Sequence, residues 1–248
     1  MENNLKFSDS AWSLSEQQVQ VWWFELNPPD SFVEPLVALL SEDEITRANR
    51  YQFPHLRTRY QVAHGILRIL LGNYLNLHPQ HIEFIYSDRG KPQLAAHCNP
   101  LNLQFNLSHS DNLALVGIGY NQRLGVDVEC LRSLKNAELL AQRFFSPTEA
   151  KLFKPVNPQT QEQIFFQLWT AKEAYLKATG EGIAGGLDQV EIGLTPLRFL
   201  KCPQSPNPDP QWALQSFSIE PDGKNYYLGA IAVEGKIETL SIEQFRYG

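Results

Sequence analysis

The stretch LGVDVE at residues 124–129 decides how the fold is interpreted, because it combines a strand pattern with two neighbouring acids. Val126 and Val128 alternate with the acids, as in a β-strand. Asp127 and Glu129 then project from one face, roughly 7 Å apart along the strand. Two carboxylates at this spacing repel each other unless a cation lies between them. We interpret the stretch as a strand inside a sheet, with its acidic end at a cleft. The solvated face of an edge strand is the alternative.

The stretch WTAKEAYLK at residues 169–177 lies near the end of a helix that we predict from about residue 159 to residue 179. Glu173 and Lys177 are four residues apart and share a helix face, with Trp169 one turn earlier. An ordinary surface Glu–Lys pair, which contributes a few tenths of a kcal/mol, explains most such spacings. Here the apolar residues on both sides of the pair favour a functional stripe on a largely buried helix.

Two shorter segments end in polar turns. The segment FNLSHS at residues 105–110 runs from a strand into Ser108 and His109. A hydroxyl beside an imidazole at a strand end can hold an anionic phosphate, although a lone histidine is most often structural. The segment DRGKP at residues 88–92 is a turn that presents two cations. By itself it indicates only a turn.

Around these motifs the chain divides into two parts of similar kind. Each part offers one long helix and several short strands, and each contains an S-x-x-E capping box that predicts a short helix. The sequence predicts an α+β fold of two similar α/β halves, related by pseudo-two-fold symmetry, each with a long helix packed on a small, mostly antiparallel sheet. The halves are residues 1–122 and 123–248, their long helices residues 54–76 and 159–179, and their capping boxes residues 41–44 and 146–149. The predicted strands are residues 18–26, 82–86, 103–107, 113–118, 124–129, 189–194, 212–219, 226–233 and 237–244.

The composition excludes several classes of protein. Of 248 residues, 43% are hydrophobic and 19% charged, which indicates a folded core rather than disorder. The net charge of −6 argues against a broad nucleic-acid surface, and no apolar run reaches the roughly 20 residues that span a bilayer. The start lacks a signal-peptide pattern, and three scattered cysteines form neither a metal pair nor a disulfide framework. We therefore expect a cytoplasmic protein that binds neither nucleic acid nor membrane.

The motifs are more specific together than singly. In chain order they are GKP at 90–92, FNLSHS at 105–110, GVDVE at 125–129, FFSPTE at 144–149 and WTAKEAYLK at 169–177. This order resembles the Sfp-type group of the 4′-phosphopantetheinyl transferase superfamily, over roughly residues 47–182. The resemblance implies an enzyme that moves the phosphopantetheine arm of coenzyme A onto a serine hydroxyl of an apo acyl, aryl or peptidyl carrier protein. The second product is 3′,5′-ADP, and the implied assembly is a pseudo-dimeric monomer.

The resemblance also implies roles for individual side chains. Asp127, Glu129 and Glu173 match three carboxylates that hold Mg²⁺, with Mn²⁺ as a substitute. Glu173 is further implied as a base for the carrier serine, and Lys177 as the cation that stabilises the departing 3′,5′-ADP. Ser108 and His109 match contacts to the 3′-phosphate of coenzyme A. The residues implied in coenzyme A binding are Arg47, Arg59, Gly90, Lys91, Ser108, His109, Asp127, Glu173 and Lys177.

Two departures and two alternative functions remain open at this point. Glu44 replaces a lysine of the family, which puts one nucleotide contact in doubt, and the capping box already explains the acid at Glu149. A coenzyme A or carrier-binding protein without turnover is one alternative, although the complete carboxylate set and Lys177 argue against it. A Mg²⁺-dependent diphosphate hydrolase that uses water in place of the carrier serine is the other.

Overall fold

The computed structural model of the chain describes residue 12 and residues 14–182, 186–203 and 212–247. Within these ranges the α-helices are α1 (Asp30–Val37), α2 (Glu42–Ala48), α3 (Pro54–Leu75), α4 (Ala137–Phe144), α5 (Pro147–Ala150) and α6 (Pro158–Thr179). The strands are β1 (Gln18–Glu25), β2 (Phe84–Tyr86), β3 (Pro92–Leu94), β4 (Leu103–Ser110), β5 (Leu113–Tyr120), β6 (Leu124–Cys130), β7 (Glu191–Leu194), β8 (Leu197–Lys201), β9 (Trp212–Ile219), β10 (Tyr227–Glu234) and β11 (Thr239–Gln244).

Most predicted elements are confirmed. The two long helices are α3 and α6, both capping boxes open helices, and each predicted strand has a counterpart, most with shifted ends. The predicted turn at Ser108 and His109 is wrong, because β4 continues through Ser110. The sequence did not predict α1, α4, β3 or β8. Helix α1 was not predicted because it contains Pro35, and proline is unfavourable in a helix interior. Strand β3 is only three residues long and begins with Pro92, so it offers no periodic pattern.

The strands form small sheets that are almost entirely antiparallel. The first sheet has the order β11–β1–β5–β4, in which only the β1–β11 pair is parallel. The second sheet has the order β6–β10–β9 and is antiparallel throughout. Two hairpins, β2–β3 and β7–β8, complete the described strands. The α+β class is therefore confirmed.

The last described strand crosses the predicted boundary between the halves. Strand β11 pairs with β1, so residues 239–244 belong to the first sheet although they lie in the predicted second half. Strand β1 is an inner strand of this sheet, with β5 on its other side. The division at residue 122 and the pseudo-two-fold relation stay predictions, since the first sheet has four strands and the second has three.

Three clusters of buried apolar side chains hold the fold together. One lies between α3 and the first sheet, and another lies around α6. The third joins the two sheets, with Val21 and Leu115 of the first sheet against Val126 and Ile231 of the second. Each fully buried aliphatic side chain contributes about 1.5–3 kcal/mol. The sheets therefore share a hydrophobic layer, and β6 lies at their junction.

Helix α6 begins and ends at clear capping signals. The Asn157 side chain accepts from the backbone N–H of Thr160, and Pro158 occupies the first helical position. The helix ends at Gly180, whose φ of 78° is the left-handed conformation that glycine adopts without strain. These signals set the length of the helix that carries Glu173 and Lys177.

Strand β6 contacts α6 at backbone distance. A Cβ at Gly125 would lie 2.2 Å from the carbonyl oxygen of Ala174 and 2.3 Å from the backbone nitrogen of Ala178. Only glycine allows this approach, because any side chain would collide with the helix backbone. The contact brings Asp127, two residues further along β6, towards the helix face of Glu173.

We expect Gly125→Ala to destabilise the protein and abolish its activity. Backbone atoms of a helix cannot move aside as a side-chain tip can, and overpacking costs about 1–3 kcal/mol, occasionally more. Thermal unfolding followed by circular dichroism would measure the loss. Gly193→Ala in β7 is the control, because its new methyl would meet only the Leu200 side chain, at 3.3 Å or more. Equal melting temperatures for the two variants would contradict the close approach.

Two expectations from composition can be compared with the described residues. None of their helices is long and apolar enough to cross a membrane. Cys98, Cys130 and Cys202 are free, as predicted from their spacing. The cytoplasmic location stays a prediction.

Candidate active site

Side chains of β4 bridge to β6 at the junction of the two sheets. The Asn106 Oδ1 atom accepts from the backbone N–H of Val126 at 2.9 Å. The Ser108 hydroxyl donates to Asp127 Oδ1 at 3.0 Å, and the Ser110 hydroxyl donates to Glu129 Oε2 at 3.0 Å. Strand β6 is an edge strand of its sheet, so its predicted position inside a sheet is wrong. Side chains join it to the β4 edge of the other sheet, and both carboxylates face β4.

Lys177 from α6 reaches the same place. Its Nζ atom donates to Asp127 Oδ1 and to Ser108 Oγ, each at 2.7 Å. The sequence had placed Lys177 beside Glu173, four residues earlier on the same helix. The described ion pair joins Lys177 to Asp127 instead, because Gly125 lets β6 lie directly against α6. Asp127 is 4% exposed, so a cation within hydrogen-bond distance offsets the cost of burying its charge.

Glu173 lies beside this cluster on α6. The side chain is 6% exposed, and its Oε1 atom is buried with no partner in the described structure. Burial, together with the charge of Asp127, raises the pKa of Glu173 to about 7. A carboxyl group with this pKa can take up and release a proton near neutral pH, which suits a general base.

The other two carboxylates are shifted in the same direction. Burial raises the pKa of Asp127, although Lys177 and the Ser108 hydroxyl act against it. Burial also raises the pKa of Glu129, and the charge of Asp127 raises it further. The pKa values of all three acids are therefore shifted in the direction expected for buried, clustered carboxylates.

The donor atoms suit a hard divalent cation. Asp127 Oδ2 and Glu173 Oε1 are both buried without hydrogen-bond partners, and carboxylate oxygens are the ligands that Mg²⁺ prefers. Within the described residues, however, no group of three or more His, Cys, Asp or Glu side chains is arranged to hold a metal ion. The residue types nevertheless fit Mg²⁺. The three-carboxylate site stays a prediction.

The turn that carries Gly90 and Lys91 is attached to both α6 and β6. Lys91 Nζ donates to the carbonyl oxygens of Ala178 at 2.9 Å and Leu124 at 3.2 Å. Burial, and secondarily the charge of Arg123, lowers the pKa of Lys91 to about 8. Gly90 has a φ of 82°, which the tight turn requires. A cavity of about 360 Å³ adjoins this turn, lined by charged and polar groups including Arg89, Arg123, Gln104 and Thr179.

The remaining cations predicted to contact coenzyme A lie in the first part of the chain. Arg47 stacks its guanidinium 3.9 Å from the Tyr86 ring centre. Arg59 lies 3.6 Å from an Asp111 carboxylate oxygen. His109 is exposed. Partial desolvation of its ring lowers its pKa, and the charge of Lys177 lowers it further. The charges of His64 and Arg59 act on His109 in the same direction.

Glu44, the departure from the family pattern, has a role inside the fold. It accepts from Arg68 Nε at 2.7 Å, contacts His64 Nδ1 at 3.1 Å and completes the capping box of Ser41. Burial opposes ionisation, but His64, Ser41 and Arg68 outweigh it and lower the pKa of Glu44 to about 2. The acid therefore stabilises the packing of α2 on α3.

Glu149 and its partner Lys172 form a fully buried ion pair. Lys172 Nζ donates to Glu149 Oε2 at 2.7 Å and also to the carbonyl oxygens of Leu187 and Val190. Glu149 in turn accepts from the backbone N–H of Ile192 at 2.9 Å. This pair joins α5, α6 and the segment after α6, which explains the acid at Glu149 without catalysis.

Several of these residues were missed by the sequence-based interpretation. Gly125 lies in the GVDVE motif, but nothing in the neighbouring sequence indicated that it would contact the backbone of α6. Lys172 lies beside Glu173 in the sequence but projects into the core, on a different side of the helix. Ser110 could have been found, because Ser108 and Ser110 have the same two-residue spacing as Asp127 and Glu129.

Comparison with known proteins identifies relatives of this chain. The family model described as "4'-phosphopantetheinyl transferase superfamily" matches residues 123–231. A second one, "4'-phosphopantetheinyl transferase, N-terminal", matches residues 25–118. The chain is 43% identical over 223 residues to the 4′-phosphopantetheinyl transferase HetI of Nostoc sp. strain PCC 7120, covering 90% of each chain.

Two Bacillus proteins are more distant relatives. The chain is 27% identical over 160 residues to a 4′-phosphopantetheinyl transferase of Bacillus subtilis, covering 64% of this chain and 68% of the relative. It is 29% identical over 194 residues to the 4′-phosphopantetheinyl transferase psf-1 of Bacillus pumilus, covering 76% and 78%. The chain belongs to the 4′-phosphopantetheinyl transferase superfamily. The predicted family is confirmed, and with it a transferase that delivers phosphopantetheine to carrier proteins.

Proposed function

We propose that this chain catalyses the Mg²⁺-dependent transfer of 4′-phosphopantetheine from coenzyme A to a serine of an apo carrier protein, with release of 3′,5′-ADP. The observation that supports this most directly is the meeting of Asp127, Glu173 and Lys177 at one junction between β6 and α6. Two carboxylates and one ammonium suit a reaction at a diphosphate, where negative charge must be neutralised and a proton removed.

Each side chain has a distinct proposed role. Asp127, Glu129 and Glu173 would hold Mg²⁺, or Mn²⁺ in its place, and the bound ion supplies charge neutralisation at the diphosphate. Glu173 also accepts the proton of the carrier serine, directly or through water. Lys177 stabilises the negative charge that develops on the departing 3′,5′-ADP.

Coenzyme A binding is proposed for a second set of residues around the same junction. The exposed His109 ring and the guanidinium groups of Arg47 and Arg59 offer donors to phosphate groups. Gly90 and Lys91 hold the turn beside the cavity, where we place the nucleotide. Ser108 is 4% exposed, and its hydroxyl donates to Asp127. We propose that it also contacts coenzyme A.

Intact-mass spectrometry tests the function directly. The protein is incubated with coenzyme A and Mg²⁺, with and without a panel of apo acyl, aryl and peptidyl carriers. Transfer gives a heavier carrier together with 3′,5′-ADP. Hydrolysis gives 3′,5′-ADP without a carrier, and a silent binding protein gives neither. Asp127→Ala should abolish the mass increase, and a wild-type rate for this variant in limiting Mg²⁺ would refute the metal proposal.

Lys177→Met is expected to lower kcat by about 10²-fold, the scale of losing one preorganised electrostatic contact. KM for coenzyme A should change less, because the charge develops in the transition state. Stability should also fall, since the Asp127 carboxylate would lose its counterion. Steady-state kinetics separate these effects. A normal kcat with weaker coenzyme A binding would move Lys177 to ground-state recognition.

We also propose that residues 1–122 and 123–248 are two related halves of one monomer that works in the cytoplasm. The two family matches, to residues 25–118 and 123–231, lie on either side of this boundary. The buried layer between the sheets supports one compact unit. Light scattering after size exclusion should give the mass of one chain, and a dimer mass would contradict the proposal.

A further inference from the structure

Two serines of β4 match two carboxylates of β6 with the same spacing. Ser108 donates to Asp127 and Ser110 donates to Glu129, each at 3.0 Å. Residues two apart on a strand lie on the same face. The side chains therefore form two parallel hydroxyl–carboxylate pairs at the edge where the strands meet.

The Ser110 hydroxyl is held from two sides. Its Oγ atom accepts from the backbone N–H of Cys130 at 3.1 Å, which leaves the hydroxyl hydrogen for Glu129. The amide of Cys130 follows Glu129 directly in β6, so a single hydroxyl fixes both the strand and the side chain. Asp127 has Lys177 as a second partner, but no ion pair holds Glu129 within the described part of the chain.

We propose that Ser110 is a positioning residue that orients the Glu129 carboxylate for the metal ion and so sets the metal affinity of the site. The inference rests on the proposed function. A carboxylate that rotates freely must lose rotational entropy when it becomes a ligand, whereas a hydrogen-bonded one is already oriented. Removing such an outer partner typically lowers metal affinity 10- to 100-fold.

The test measures Mn²⁺ binding by electron paramagnetic resonance on the full chain, with saturating coenzyme A and no carrier, so that no turnover occurs. We expect Ser110→Ala to weaken Mn²⁺ binding about 10- to 100-fold. Ser110→Thr keeps the hydroxyl and should bind with nearly wild-type affinity. Ser133→Ala is the matched control, because it removes a hydroxyl that donates to the partly exposed Glu162 at 3.1 Å, and it should bind normally.

Two further variants keep the inference testable if Ser110→Ala does not fold. Ser110→Cys preserves the side-chain size but donates only weakly, so it should also weaken binding. In a Glu129→Ala background, removing the Ser110 hydroxyl should cause no further loss, because no side-chain acceptor remains for it to orient. An equal loss in both backgrounds would overturn the role through Glu129.

The outcomes also separate this inference from the proposed function. Wild-type Mn²⁺ affinity in folded Ser110→Ala or Ser110→Cys would overturn the positioning role alone. Absence of Mn²⁺ binding by the wild-type protein would overturn the metal proposal and this inference with it. Weak binding in the variants, with rescue by Ser110→Thr, supports both.

Discussion

Glu173→Gln is expected to lower kcat by about 10³-fold while making the metal-free protein more stable above pH 7. General-base catalysis contributes roughly 10²- to 10⁴-fold, and glutamine cannot accept the serine proton. The amide keeps the size of the side chain but removes a charge that is buried beside Asp127. The variant should therefore lose function and gain stability in one step.

The pH dependence of stability follows from the direction of the Glu173 shift. Its pKa is raised from 4.5 to about 7 in the folded protein. Between these values the folded protein holds a proton that the unfolded chain has lost, so the free energy of unfolding falls as pH rises. The full effect at and above pH 7 is roughly 3 kcal/mol. Asp127 and Glu129 are shifted upwards as well and add to the same trend.

Urea unfolding of the chelator-treated protein between pH 5 and pH 8 would measure this trend. The wild-type free energy of unfolding should fall over that interval, and Glu173→Gln should flatten the curve. Glu162→Gln, which removes a partly exposed carboxylate elsewhere on the same helix, is the matched control. Parallel curves for wild type and Glu173→Gln would show that Glu173 is not the group that titrates.

Lys172→Met is expected to destabilise the protein by about 3–5 kcal/mol, because it leaves the buried Glu149 carboxylate without its counterion. The two side chains are 0% and 2% exposed, so water cannot replace the lost contact. For a chain of this size such a loss lowers the melting temperature by about 10 °C. Calorimetry or circular dichroism would measure it.

Two comparisons identify the buried charge as the cause. The double variant Glu149→Gln with Lys172→Met should recover part of the loss, since no charge remains buried. Arg123→Met removes an exposed partner of Glu234 and should cost about 0–1 kcal/mol. A melting temperature of Lys172→Met within about 2 °C of the wild type, below the roughly 2–4 °C that 1 kcal/mol produces, would refute the structural role of the pair.

The sequence by itself determined the local elements and the family. Helix α6 could be predicted because its capping residues and apolar spacing act within a few residues of one another. Strand β6 could be predicted from Val126 and Val128 in the same way. The motif order from Gly90 to Lys177 then sufficed to predict the superfamily, which the comparisons confirm. These signals are short in range, so no knowledge of the folded chain is needed to interpret them.

Only the tertiary structure decided which groups meet. Local spacing pairs Lys177 with Glu173, but the described ion pair is with Asp127, fifty residues earlier in the chain. That choice depends on how closely β6 approaches α6, which the absent side chain of Gly125 allows. Likewise, β11 joins β1 across more than two hundred residues, and Lys172 turns into the core while its neighbour Glu173 faces the site. Such pairings are set by packing and by the cost of burying unpartnered charges, which a local pattern does not contain.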